Sequence, residues 1–386
     1  MSVKIYLVRH AEAEGNLYRR VHGHTNSNVT ELGLQQIAAL GARFADVTVD
    51  ALYSSDLVRA QSTARAIGAP REMETITTPR LREVNMGRWE DLTWAALEQF
   101  EAEQLARYSR DPARWDIGTN ESYADKVRRI YDAVRELAEA HPNQTICIVS
   151  HGCVIRTLLA TIMGVPSERI GELAHCDNTG VSLVEYEDGA FRIHYMNDAS
   201  HLTEKTSTFA RQSWWKNSDG KDGGNVDYRP FDLAHDADRY LAYRREAWEG
   251  VYGSLKGYAG DEAYLSKAKE HAAAHSGALM EAYLRDTPIG VLELDIARGE
   301  PLGEGHISFY YVLPEFRGRG LGVQLLGHAI SVYRALGRDA LTLCVSEENQ
   351  AAISFYERHG FWKTDSPSGA NGMLWEMEMD ISVRVR

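Results

Sequence analysis

Two histidines stand at the ends of apolar runs in the first half of the chain: His10 closes KIYLVRH and His151 closes TICIVSH. Ile5, Tyr6, Leu7 and Val8, like residues 145–149, read as short buried strands that stop abruptly at polar residues. An imidazole there, with Arg9 beside His10, sets a nucleophile or proton carrier next to a fixed cation. Arg59 falls in the early turns of a later helix, where an anion is favoured, and Glu83 adds a loop carboxylate. Two imidazoles, two guanidiniums and one carboxylate suit phosphoryl transfer, in which charge on the equatorial oxygens must be held through the transition state. The rival uses are structural: ion pairs for Arg9 and Arg59, a helix start for His151, an exposed carboxylate for Glu83.

The second half offers different chemistry. After the strand-like HISFYYVL come Arg317-Gly318-Arg319-Gly320-Leu321-Gly322, and then a helical pattern. Glycines between a strand and a helix let main-chain N–H groups converge on a pyrophosphate. A dinucleotide site is the rival, but it needs an acidic residue closing the following strand, and Asp339 precedes that strand.

The elements that position these residues alternate strand and helix in both halves. In the first, Thr30 caps a helix, residues 50–53 form a strand, and Ser54, Ser55 and Asp56 offer capping oxygens for a helix to Ile67. Helical stretches follow over 93–110, mostly polar and read as a surface or lid element, and over 123–141. A strand pair over 181–186 and 191–195 turns at Asp188 and Gly189. SWWKNSDGKDGGN marks the domain boundary, with Trp214 and Trp215 packing on one domain. Beyond it come a strand at 226–231, helices over 237–252 and 262–275, a hairpin over 278–296, the strand His306 to Leu313, the glycine loop and its helix, a strand over 341–345, a helix over 349–359 and a last strand over 374–381. The division is thus 1–206, a linker 207–225, and 226–386.

At 386 residues the chain suits two domains with separate cores. A net charge of −13 excludes general affinity for nucleic acid or anionic membrane, while leaving small anions to local arginines. Cys147, Cys153, Cys176 and Cys344 show no CxxC spacing, and Cys147 and Cys344 lie in apolar runs, so buried thiols are expected and no metal. With no leader-like or membrane-length apolar run, the expectation is a soluble cytoplasmic protein. Oligomeric state is not encoded in any pattern here.

LVRHAEAEGN, SSDLVRAQSTA, LREVNMGRWEDLTW, SHGCVIRTLL and NDASHL, in that order, resemble the histidine phosphatase superfamily, relatives of phosphoglycerate mutase, over about residues 1–206. The resemblance implies a three-layer α/β/α phosphoglycerate mutase-like sandwich with its site at the carboxyl ends of the strands. It implies His10 as the phosphoryl-accepting nucleophile, Arg9, Arg59 and a protonated His151 as the oxygen clamp, and Glu83 as the proton carrier. Asn16 and Arg20 match positions lining the phosphate pocket. Ala11 and Ala13 depart from the family's usual Gly and Ser or Thr. Trp89 and Trp94 resemble the small phosphatase branch, which favours hydrolysis of a small phosphorylated metabolite over mutase chemistry. A ligand-sensing first domain is the alternative.

YYVLPEFRG, the Arg-x-x-Gly-x-Gly spacing and NQAAISFYERHGF resemble the GNAT acetyltransferase superfamily over about 226–386. That implies an acyl-CoA N-acyltransferase fold with a mixed sheet, acetyl-CoA as co-substrate and an amine acceptor. The pyrophosphate would lie on the amides of Arg317, Gly318, Arg319, Gly320, Leu321, Gly322 and Val323, with the pantetheine beside Val312. Tyr356 matches the position that protonates the departing thiolate, and Asn349 one that contacts the cofactor arm. His306 falls where some members keep a base, a surface strand-end histidine being the alternative. Trp248, Tyr252, Tyr258 and Tyr264 would serve packing or the acceptor pocket.

Overall fold

The protein is described from a computed structural model covering residues 2–212, 224–365, 368–369 and 372–386. The chain forms two compact units, one of residues up to 222 together with Val383–Arg386, the other of residues 223–382.

The first unit runs β1 (Ser2–Arg9), α1 (Glu14–Tyr18), α2 (Glu31–Phe44), β2 (Ala51–Ser54), α3 (Val58–Gly68), β3 (Thr75–Thr77), α4 (Trp94–Phe100), α5 (Ala102–Arg110), α6 (Tyr123–Glu139), β4 (Thr145–Ser150), α7 (Gly152–Ile162), β5 (Val181–Glu187), β6 (Ala190–Asp198) and α8 (Thr208–Arg211). Its sheet has the order β3-β2-β4-β1-β5-β6. The β2–β3, β2–β4 and β1–β4 pairs are parallel, and β5 and β6 add antiparallel strands. Alternation in β4 builds the layers: Ile146 and Ile148 face Ile130, Val134 and Leu158 from α6 and α7. Cys147 and Val149 face Leu40, Phe44, Ala60 and Ile67 from α2 and α3. Each fully buried Val, Leu or Ile contributes about 1.5–3 kcal/mol, so the two apolar faces fix which strands lie at the centre.

The second unit runs β7 (Val226–Pro230), α9 (Ala237–Tyr252), α10 (Asp261–Ala274), β8 (Leu279–Leu284), β9 (Thr287–Asp295), β10 (Glu304–Val312), α11 (Gly322–Ala335), β11 (Ala340–Ser346), α12 (Gln350–Arg358), β12 (Trp362–Asp365), β13 (Ser368–Gly369) and β14 (Gly372–Asp380). The sheet order is β12-β14-β11-β10-β9-β8-β7, with β13 paired to β14. The parallel pair of β10 with β11 ends at Ile307 and Leu343. Beyond the irregularity between Ile307 and Phe309, β10 continues along β9 while β11 continues along β14, so the strands part company. The β9–β10 connection carries a short 3-10 turn over Glu300–Leu302.

Several local expectations change. The residues expected to cap α3 do not: Leu57 is the cap residue without a side-chain bond, and Ser55 Oγ instead accepts from the Leu57 amide at 3.3 Å. The stretch 93–110 splits into α4 and α5 at Glu101, whose backbone departs from helical geometry. Cys344 is half-buried, with Arg298 Nη2 3.7 Å from its sulfur, because it lies where β10 no longer pairs with β11. Residues 207–212, expected to begin the linker, pack on the first unit. Ser207 donates to Asp177 at 2.5 Å and Thr208 is 2% exposed against Gln36 and Glu12. The tryptophans at 214 and 215 lie outside the described residues.

Candidate functional site

The parallel pairing of β1 with β4 places Arg9 opposite Ser150, so the histidines that follow emerge side by side. The rings of His10 and His151 lie 5.1 Å apart between centroids. The His10 amide donates to Ser150 O at 2.9 Å, and His151 is the N-cap residue of α7. His10 is 4% exposed, and its Nδ1 bonds the carbonyl of Ala11 at 2.7 Å. A carbonyl only accepts, so Nδ1 carries the hydrogen and Nε2 keeps its lone pair. Burial, reinforced by the Arg59 and Arg9 charges, holds the His10 pKa well below the ordinary imidazole value.

Arg59 enters from the first turn of α3, after β2, which is hydrogen-bonded to β4. It is fully buried, and burial lowers its pKa to about 10 despite the carboxylates of Glu83 and Glu90. Its terminal nitrogens hold the carbonyls of Thr25 at 2.9 Å and Gly23 at 2.8 Å. The Nε atoms of both Arg9 and Arg59 are buried with no hydrogen-bond partner, as are both ring nitrogens of His151. Buried donors of this kind call for an acceptor, and a tetrahedral oxyanion supplies several. Among protein groups alone, burial and the neighbouring Arg59 charge push the His151 pKa well below normal. The protonated clamp expected from the sequence therefore requires an anion beside it.

Glu83 follows a 3-10 turn whose Leu81 carbonyl accepts from Ser150 Oγ at 2.7 Å. Its carboxylate accepts from the amides of Cys153 at 3.0 Å and Val154 at 3.2 Å, in the first turn of α7. This brings Glu83 to the strand end that carries His151. Arg129 of α6 holds the approach to Glu83 by donating to the carbonyls of Arg80 at 2.9 Å and Arg82 at 2.8 Å. Asn16 spends its Oδ1 on the Ala13 amide at 3.1 Å, and Arg20 donates to Asp91 at 2.7 Å. These two expected phosphate-lining residues thus have structural bonds of their own.

Other site residues were not singled out in the sequence. His22, its ring 6.2 Å from that of His10, accepts the Gly15 amide at 2.7 Å, and burial lowers its pKa well below normal. Thr63 accepts from the Ala11 amide at 2.9 Å, and Asn178 Nδ2 donates to the His10 carbonyl at 2.9 Å. Thr179, at φ 57°, donates its amide to Arg9 O at 3.1 Å, and its hydroxyl meets His201 Nε2 at 3.0 Å. A β-branched residue in that region costs about 1–3 kcal/mol, so the surrounding bonds impose it. The polar runs VHGHTN and DNTG were the available signals.

In the second unit, Gly318 and Gly320 take φ of 70° and 72° with open space where a side chain would stand, immediately before α11. This backbone leaves room for a diphosphate against the helix N-terminus, so the residues present fit a nucleotide-like cofactor. Arg317 donates to the Val312 carbonyl at 2.8 Å, and Arg319 lies 5.4 Å from the Phe316 ring centroid. Tyr356 is 7% exposed beside Tyr310 and Phe361, and burial raises its pKa, keeping the phenol protonated. Asn349 caps α12 by accepting the Ala352 amide at 3.2 Å. His306 is 4% exposed, not at the surface, and meets Thr342 Oγ1 at 2.9 Å. Burial, then the Arg298 charge, lowers its pKa to about 4, so it is neutral at pH 7. Trp248, Tyr252, Tyr258 and Tyr264 form a half-buried chain, with centroids 4.7 Å apart for Trp248–Tyr252 and 4.9 Å for Tyr258–Tyr264. Among the described residues no group of three or more His, Cys, Asp or Glu is arranged to hold a metal, and no helix is long and apolar enough to cross a membrane.

Paired strand-end histidines with the guanidiniums of Arg9 and Arg59, and a glycine cradle ahead of a helix in a separate mixed sheet, define an α/β protein that joins two enzyme classes. The chain belongs to the histidine phosphatase superfamily (branch 1), matched over residues 5–199, and carries an acetyltransferase (GNAT) family domain over 239–361. It is 29% identical over 202 residues to Phosphoserine phosphatase 1 of Hydrogenobacter thermophilus, covering 52% of this chain and 95% of that protein. It is 31% identical over 207 residues to a probable phosphoglycerate mutase, GpmB, of Yersinia pestis, with the same coverage of 52% and 95%. The structure of Bacillus stearothermophilus YhfR superposes with a TM-score of 0.51 at 30% identity, covering 52% of this chain and all of that one.

Proposed function

We propose that the protein is bifunctional: a phosphomonoester hydrolase acting through a phosphohistidine at His10, and an acetyl-CoA-dependent N-acetyltransferase. The observation that carries the first activity is the state of His10. It is buried, its Nδ1 is committed to a backbone carbonyl, its pKa is depressed, and Arg59 and Arg9 lie close enough to depress it.

In this reading the Nε2 lone pair of His10 attacks phosphorus and the P–O ester bond breaks. Arg9, Arg59 and His151 hold the three equatorial oxygens. Glu83 gives a proton to the leaving oxygen, and its carboxylate then takes one from the water that attacks the phosphohistidine. Inorganic phosphate leaves and His10 is regenerated. Hydrolysis is favoured over mutase chemistry because the segment after Glu83 resembles the small phosphatase branch. His10→Ala is expected to abolish turnover of p-nitrophenyl phosphate and acid-labile labelling of the protein by that ester. Labelling that persists in the variant refutes the assignment.

For residues 226–386 the amides of 317–323 would hold the diphosphate of acetyl-CoA, and the gap that opens beyond Ile307 and Leu343 would admit its arm. Bound there, the cofactor supplies an activated acetyl thioester. In this reading neutral His306 would take the acceptor amine's proton, and the Tyr356 hydroxyl would give one to the thiolate. Tyr356→Phe is expected to lower kcat with little change in acetyl-CoA affinity.

A further inference from the structure

Beside Glu83 and Cys153 the first unit holds two cations that the phosphoryl chemistry does not use, one buried and one half-buried. Lys126 of α6 is 2% exposed. Its ammonium lies 3.6 Å from the Cys153 sulfur and 4.8 Å from the Tyr123 ring centroid. Arg156 of α7 donates to the Ile170 carbonyl at 2.6 Å, meets His175 Nε2 at 3.3 Å, and leaves its Nε buried without a partner. Among the described residues neither cation forms an ion pair.

Both converge on one point. Lys126 Nζ lies 3.6 Å from the Cys153 sulfur, and Arg156 follows Cys153 at i,i+3 on the same face of α7; the thiol pKa, raised by burial, is pulled down by both charges. Cys153 is two residues beyond His151, and its amide holds Glu83, the proposed proton donor to the leaving oxygen. Tyr108 and Cys153 pack against the apolar cluster containing Trp89 and Trp115 and close this flank. A buried ammonium without a carboxylate is costly, and a site that keeps one beside a second unpaired cation is built for an incoming anion. We infer that Lys126 and Arg156 form a subsite for a second anionic group on the leaving half of the phosphate ester, a carboxylate or a further phosphate. The inference rests on the phosphatase reading for the orientation of the ester. The two cations and the burial of Lys126 do not depend on it.

The subsite is tested by calorimetric binding to full-length His10→Ala, which needs no turnover. O-Phosphoserine and O-phosphoethanolamine differ by one carboxylate, and ethylene glycol bisphosphate carries a second phosphate in place of the phosphoethanolamine amine. At least one of the two dianchored ligands is expected to bind about tenfold or more tightly than phosphoethanolamine. Which one does so distinguishes carboxylate from phosphate. In His10→Ala/Lys126→Met the preference is expected to fall to near parity, and Lys126→Arg to restore most of it. Equal binding of all three ligands to folded His10→Ala overturns the subsite, as does a preference unchanged by Lys126→Met. Absence of phosphohistidine in the parent protein, with the preference intact, overturns the phosphatase reading instead.

Discussion

Gly15 has no side chain because His22 occupies that space: a Cβ at residue 15 would overlap the imidazole that the Gly15 amide holds. Gly15→Ala is expected to displace His22 from beside His10 and to cost about 1–3 kcal/mol, read as a fall in Tm together with lost phosphatase turnover. An unaltered Tm counts against this packing. His10, His22 and His151 share a second consequence, since each is held neutral by burial near Arg59. Their folded pKa values lie below the unfolded value of about 6.5, so below that pH the unfolded chain binds more protons than the folded one. The stability they carry is fully present above about pH 6.5 and is lost as pH falls toward their folded values. Each contributes a slope of up to about 1.4 kcal/mol per pH unit. Denaturant titrations from pH 7 to pH 5 should show this loss, and a His22→Gln variant should show a shallower dependence.

At the scale of elements, α7 begins on a carboxylate from elsewhere in the chain. Glu83 accepts two amides of its first turn, so one side chain serves the helix and the proposed chemistry together. The roles separate by substitution. Glu83→Gln keeps an acceptor oxygen but carries no transferable proton; Glu83→Ala loses both. Both variants are expected to lose about 10²- to 10⁴-fold in turnover of alkyl phosphates, and alanine about 1 kcal/mol more stability than glutamine. Equal stability of the two would show that the amides find other partners. On the other sheet, β10 and β11 were both legible as strands. Their parallel pairing, and its end at Ile307 and Leu343, depends on which neighbour each strand takes, β9 or β14.

On the scale of the whole molecule, the chain divides between a unit with the histidine site and one with the glycine cradle, and residues 383–386 belong to the first. The Arg384 amide donates to Asn28 Oδ1 at 3.0 Å and the Arg386 amide to Ser62 Oγ at 3.1 Å. Residues 207–212 and these final residues are held by hydrogen bonds to distant partners, which leave no mark on local composition. Calorimetry of the full chain is expected to show two transitions. Acetyl-CoA at about 100 times its Kd should stabilise one of them by about 2.7 kcal/mol, and orthovanadate should shift the other. A single transition moved by both ligands would refute that partition.

By itself the sequence determined the alternation of strands and helices, the two family motifs, and the residues most directly suited to chemistry: His10, Arg9, Arg59, Glu83 and His151. Each lies at a strand end, a helix start or a loop with a recognisable local pattern. Only the tertiary structure decided that β1 and β4 are neighbours, which brings the two histidines together. It likewise decided the partners of His10: Ala11 O for Nδ1, Asn178 for its carbonyl, His22 across from its ring. Tautomer, charge state and unpaired donors arise from burial and from contacts between residues far apart in the chain, and no local periodicity records them.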